Sequence, residues 1–250
     1  MPNSTTFDPG DGRRIAYALR PATDPARPTL AFLPGYASDM IGTKALAVDA
    51  FAGATGCACL RLDYSGTGAS DGDFADGTLA RWLGEVLAAI DTLTEGRLII
   101  VGSSMGGWLM LLAALRRPDR VGALVGIAAA PDFTEWGYSA ADKAALLETG
   151  KYERPNPYGP EPSVTHRGFW QSGQALRLLD APIAIDCPVR LLHGDQDEEV
   201  PVGIALKLLA QLRSADVQLH LLKGGGHRLS EPREIDALLR TLAPLVETAA

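Results

Sequence analysis

A serine between glycines, in the pattern G-x-S-x-G, occurs twice: Gly102-Ser103-Ser104-Met105-Gly106 and Gly68-Ala69-Ser70-Asp71-Gly72. At a sharp strand-to-helix turn this pattern presents a serine hydroxyl to solvent, where it can attack an acyl carbonyl. The glycines are needed because a side chain there would strike the neighbouring strand or helix. Context separates the two copies. Ser104 follows the apolar run RLIIV and opens the helix-like run MGGWLMLLAAL, whereas Ser70 lies in the polar stretch SGTGASDGDFADG. Ser104 is the expected nucleophile and Ser70 a loop residue. Gly66-Thr67-Gly68 has Asp71 where a dinucleotide fingerprint needs its third glycine, and no helix follows, so it is not read as a phosphate cradle.

A serine hydroxyl is a weak nucleophile and needs a base oriented by an acid. His220 sits inside the apolar run VQLHLL, His193 ends the run VRLLH before Gly194, and His166 lies in an aromatic-rich segment; each reads as structural. His227 ends the flexible stretch Lys223-Gly224-Gly225-Gly226 and is the expected base. Asp195, Asp197, Glu198 and Glu199 crowd the loop after VRLLHG, so an acid there completes the chain order serine, acid, histidine. The developing oxyanion needs two backbone N–H donors. Met105 supplies one, directly after the nucleophile, and Tyr36 in Gly35-Tyr36-Ala37 supplies the other from the loop after LAFLP.

These residues must be held by a scaffold, and the chain has a suitable rhythm. Apolar runs at Leu30–Pro34, Ala58–Asp63, Leu98–Gly102, Ala123–Ala128, Val189–His193 and Val217–Leu222 alternate with helical periodicity over 43–54, 78–94, 105–116, 202–213 and 231–247. Such alternation predicts a mostly parallel sheet with helices on both faces. Arg14–Leu19 adds an antiparallel strand at the start. One stretch breaks the rhythm: residues 132–182 hold the Pro-dense segment Pro155–Pro162 and seven of sixteen aromatic residues, including Phe133, Trp136, Tyr138, Tyr158, Phe169 and Trp170. A turn-rich segment with that many rings reads as a small cap over a pocket, with Trp136 and Trp170 expected to meet substrate.

Composition limits the alternatives. The chain has 250 residues, 46% of them hydrophobic, and a net charge of −7 with no basic stripe, which argues against a nucleic-acid partner. The uncharged run Leu98–Leu115 is broken by glycines and serines, so no membrane span is expected. Cys57, Cys59 and Cys187 make no even disulfide framework, and the first residues lack a leader's pattern, so the expectation is a reducing cytoplasm. Cys57 and Cys59 are expected on one face of a strand as apolar filling, with no metal site.

The elbow GSSMGGW, the strand FLPGYASDM, the segment RLDYSGTGASDG and the loop RLLHGDQDEEVP together resemble the α/β-hydrolase superfamily. They are more closely similar to the branch holding the mitochondrial palmitoyl-protein thioesterases, also known as mycophenolic acid acyl-glucuronide esterases. The resemblance implies Ser104 as nucleophile, His227 as base and, among the acidic residues, Asp197 as the acid. It further implies a lid between the sixth and seventh core strands and an absence of cofactor. The resulting expectation is a single α/β-hydrolase domain over 1–250, cap included, that cleaves carboxylic esters or thioesters of small-molecule or acyl-protein substrates through an acyl-enzyme. Other chemistry on this scaffold (C–C bond hydrolysis, lipase-like or peptidase-like cleavage) and a non-catalytic ligand-binding role are the alternatives.

Overall fold

A computed structural model describes residues 5–156 and 159–248. Tyr158, expected in the cap, lies outside the described residues. The strands are β1 (Thr5–Phe7), β2 (Ile15–Arg20), β3 (Thr29–Leu33), β4 (Cys59–Leu62), β5 (Leu98–Ser103), β6 (Val121–Ile127), β7 (Lys151–Arg154), β8 (Ser163–His166), β9 (Val189–Gly194) and β10 (Val217–Leu222). The helices are α1 (Thr43–Thr55), α2 (Leu79–Leu93), α3 (Met105–Arg116), α4 (Phe133–Trp136), α5 (Ala140–Thr149), α6 (Arg167–Ala175), α7 (Val202–Gln211) and α8 (Pro232–Thr248). Eight strands form one sheet in the order β1-β2-β4-β3-β5-β6-β9-β10, and β7 and β8 form a separate hairpin. β2 runs antiparallel to β1 and β4, while the pairs from β4 to β10 are parallel.

The apolar runs are continuous because the parallel strands are covered on both faces. Leu30 and Phe32 of β3 pack with Ile99 and Val101 of β5 against α1 and α8. Ala31 and Leu33, one residue out of phase, join Leu60, Leu62 and Ile100 beneath Trp82 of α2 and Trp108 of α3. This two-residue alternation sends successive side chains into separate layers. All six predicted runs are strands, and the five predicted helices are present. β4 begins only at Cys59, so Cys57 lies in the turn before it; both thiols still fill the layer against α1. Burial pushes the Cys59 thiol up to about 12, so it stays protonated.

Between β6 and β9 the chain leaves the sheet. This insert is more regular than its turn-rich composition predicts: α4, α5 and α6 surround the β7–β8 hairpin. The Asp132 carboxylate accepts from the Leu178 and Leu179 N–H groups, at 2.8 Å each, and ties the insert's exit to its return. Tyr138 and Thr165 share a buried 2.6 Å hydroxyl bond, and Ser139 with Asp142 caps α5 reciprocally. No helix among the described residues is long and apolar enough to cross a membrane.

Candidate active site

β5 delivers its C-terminus straight into α3, and Ser104 occupies the joint with φ 53° and ψ −117°. A non-glycine residue in such a conformation costs on the order of 1–3 kcal/mol. Surrounding bonds hold it there: the Ser104 N–H donates to Ile127 O at 2.9 Å, and its carbonyl accepts from Ala130 N at 3.0 Å. α3 passes so close to β3 that a Cβ on Gly106 would stand 2.1 Å from Leu33 O. Gly106→Ala is therefore expected to cost about 3 kcal/mol or more, because the obstacle is backbone within a packed sheet; a thermal melt checks this, with a large fall in Tm or loss of folded protein.

The next two parallel strands beyond β6, β9 and β10, carry the other candidates. The loop after β9 holds Asp197 and the loop after β10 holds His227. The two loops touch through backbone: a Cβ on Gly194 would lie 2.1 Å from Gly225 O, and Gln196 N–H donates to that carbonyl at 3.0 Å. His227 Nε2 lies 3.0 Å from Ser104 Oγ, and its Nδ1 lies 2.9 Å from Asp197 Oδ2. The other Asp197 oxygen accepts from Glu199 N–H at 3.0 Å and Val200 N–H at 2.8 Å. Burial opposes ionisation of Asp197, yet its bond to and attraction by His227, with these two N–H groups, hold its carboxyl below the usual carboxylate range. Such an arrangement can move a proton from a serine hydroxyl to an imidazole and compensate the resulting positive charge.

Two consequences for pH follow. A protonated imidazole cannot accept the serine proton, so kcat/KM is expected to rise with pH to a plateau. A pH–rate profile with no rising acid limb contradicts a histidine base. Asp197, whose folded pKa is depressed, stabilises the fold above the unfolded carboxylate's pKa. That contribution is lost as pH falls through the lower folded value.

Tyr36 follows β3 in a tight turn in which Ser38 N–H donates to Gly35 O at 3.2 Å. The turn abuts the elbow: a Cβ on Gly35 would lie 3.4 Å from Ser104 Cβ. Met105 opens α3, so its N–H has no carbonyl one turn back within the helix. Behind the turn, buried Asp63 accepts from Met40 N–H at 2.7 Å and Ala69 N–H at 2.9 Å, joining this loop to the one after β4.

The remaining expected residues fall as follows. Ser70 Oγ accepts from Ala16 N–H at 2.8 Å and donates to Asp63 O at 2.7 Å, a structural role. Asp195 accepts from Gly224 N–H at 2.6 Å; it clamps the histidine loop rather than its own turn. His220 approaches Gln218 at 3.5 Å on the edge strand β10, and the His166 ring packs against Phe74. Trp136 and Trp170 are half-buried, with their indole N–H groups given to Pro131 O at 2.8 Å and Thr134 O at 2.9 Å.

Three residues, His193, Glu199 and Lys44, make contacts that escaped the sequence reading. His193 Nε2 lies 2.8 Å from Val200 O and 3.4 Å from Asp197 Oδ2. Since a carbonyl only accepts, that nitrogen carries its proton. Glu199 brings a second carboxylate to 3.9 Å from His227 Nε2. Lys44 of α1 donates to Arg228 O and to Ser230 Oγ, holding the far side of the histidine loop; burial pulls its ammonium down to about 8. Among the described residues no group of three or more His, Cys, Asp or Glu is placed to hold a metal ion.

The model of the prolyl oligopeptidase family matches residues 54–248. The human mitochondrial palmitoyl-protein thioesterase ABHD10 is 40% identical over 224 residues, which cover 88% of this chain and 73% of that protein. The structure of α/β hydrolase domain-containing protein 10 from mouse superposes with a TM-score of 0.91 at 36% identity, covering 99% of this chain and 100% of that one. A structure from Agrobacterium vitis also gives 0.91, at 41% identity over 97% of each chain.

Proposed function

The chain belongs to the α/β-hydrolase superfamily, within the prolyl oligopeptidase family, and from that premise we propose that it cleaves carboxylic esters or thioesters through a serine-bound acyl intermediate. The observation that carries the serine mechanism is the unbroken line of hydrogen bonds from Ser104 Oγ through His227 to Asp197. Ser104 Oγ attacks the acyl carbonyl while His227 Nε2 takes its proton. The negative charge on the carbonyl oxygen is received by the N–H groups of Tyr36 and Met105. His227 then protonates the departing alcohol or thiol, and a water activated by the same imidazole releases the acid. Asp197 holds the imidazole in the tautomer whose Nε2 is free to accept. No step calls for a metal or an organic cofactor.

The reading takes 1–250 as one catalytic domain with the insert as its cap. Trp136 and Trp170 are proposed to meet substrate through their ring faces, since both N–H groups are bonded within the cap. Acyl-protein substrates enter by likeness to the human thioesterase. Three free cysteines suit a reducing compartment, of which the cytoplasm is one; the human relative is described as mitochondrial. Peptide cleavage is the second reading, favoured by the family whose model matches. A panel of p-nitrophenyl esters, acyl thioesters and peptide anilides of graded acyl length tests both. Ester and thioester turnover without anilide turnover supports the first reading, and the reverse pattern replaces it with the second.

A further inference from the structure

We propose that the Tyr36 side chain is a latch through which the cap sets the position of the oxyanion-binding N–H on the same residue. The proposal rests on the hydrolase reading above and assigns a role to the phenol, which that mechanism does not use. The Tyr36 hydroxyl donates to Val164 O at 3.0 Å, on strand β8 of the cap. Its ring lies 4.7 Å from Phe169 and 6.1 Å from Phe133, both in the cap, and 5.0 Å from Phe74 and 6.0 Å from Trp82 on the sheet side. Burial raises the phenol well above its ordinary range, so it remains a donor at any working pH.

The backbone leaves the side chain as the natural point of control. The turn is anchored in front by β3 and behind by the Asp63–Met40 bond. Between these anchors Ala37 takes a left-handed conformation at φ 53°, and Tyr36 is the residue of the turn whose ring reaches the cap. A tyrosine ring with two side-chain torsions, fixed at its hydroxyl and on its faces, transmits the position of β8 to the peptide one bond away. Contacts made by the cap with remote parts of a substrate can thus be converted into better placement of a transition-state donor, which raises kcat rather than uniform binding.

The test compares Tyr36→Phe with Ser139→Ala, which removes the Ser139 Oγ bond to Asp142 N–H that caps α5 in the same cap but lies outside the contacts of the Tyr36 ring and hydroxyl. The probe is an aryl trifluoromethyl ketone: Ser104 Oγ adds to its carbonyl, the proton passes to His227, and the resulting oxygen anion occupies the oxyanion position. Tyr36→Phe is expected to lower kcat about 10-fold, to leave KM within about twofold, and to weaken ketone inhibition by the same factor as kcat. Ser139→Ala is expected to lower Tm while leaving kcat and ketone affinity unchanged. Wild-type ketone affinity in folded Tyr36→Phe, or an equal loss in Ser139→Ala, overturns the latch. If Tyr36→Phe does not fold, Phe74→Leu loosens the ring's cage and leaves the phenol; ketone affinity is then expected to fall about threefold, and unchanged affinity overturns the proposal. Absence of ester and thioester turnover by the unmodified protein would remove the hydrolase reading itself, a separate outcome.

Discussion

Replacing Ser104 with alanine is expected to lower kcat by about 10⁶-fold and to abolish covalent labelling by a fluorophosphonate, with little change in Tm. Only the hydroxyl is lost, and its described partner is His227 Nε2. Alanine bears the same left-handed backbone cost as serine, so the elbow retains its shape. Ser70→Ala is the contrasting variant. That hydroxyl bonds Ala16 N–H and Asp63 O, each worth about 1 kcal/mol. Its loss is expected to lower Tm by several degrees while labelling proceeds at the normal rate. The intact-protein mass of both variants after fluorophosphonate treatment checks the pair, with one adduct expected on Ser70→Ala and none on Ser104→Ala; labelling that persists in Ser104→Ala transfers the nucleophile to another residue.

Asp197→Asn is expected to reduce kcat by about 10³–10⁴-fold in a protein that still folds. The carboxylate accepts on both oxygens, from His227 Nδ1 on one side and from the Glu199 and Val200 N–H groups on the other. An amide has one oxygen. If that oxygen faces the backbone donors, the NH₂ faces His227 and forces its proton onto Nε2, where it can no longer accept from Ser104. If the amide turns over, two backbone donors confront an NH₂. Asp195→Ala removes the bond to Gly224 N–H and is expected to cost about 1 kcal/mol of stability with a small effect on kcat. The measurement is kcat and Tm for both variants; an inactive, stable Asp195→Ala beside an active Asp197→Asn would reassign the acid by two residues.

Most of this arrangement could be read from local chemistry. Strands buried on both faces are written as continuous apolar runs, so β3, β5, β6 and β9 were legible, and Ser104 was separable from Ser70 by its neighbours alone. Elements were missed where that signal is weak. β1 has three residues, and its place in the sheet comes from pairing with β2. The insert's helices are short and bury few residues: α4 and α6 mix polar and aromatic side chains where they pack on each other, and α5 buries only Leu146. Contacts set by loop geometry were also beyond reach. The approach of His193 to Asp197 depends on how the loop folds back through Val200, and the Asp195–Gly224 clamp depends on two loops meeting at Gly194 and Gly225. The bond from Tyr36 to Val164 joins residues 128 positions apart, and no spacing rule announces it.

The bond between Ser104 and His227 joins residues 123 positions apart. On the ribosome, the serine emerges long before the histidine proposed to activate it. α3 and the first parallel strands can pack while β9 and β10 are still unmade, and the hydroxyl they present has no base. On the mechanism proposed above, reactivity arrives only when β10 docks as the outermost parallel strand and sets its loop against the one after β9, with little but α8 left to follow. On that mechanism the unfinished chain carries a serine that cannot act on surrounding acyl groups. A lesion at that late edge would silence the enzyme and leave its serine in place.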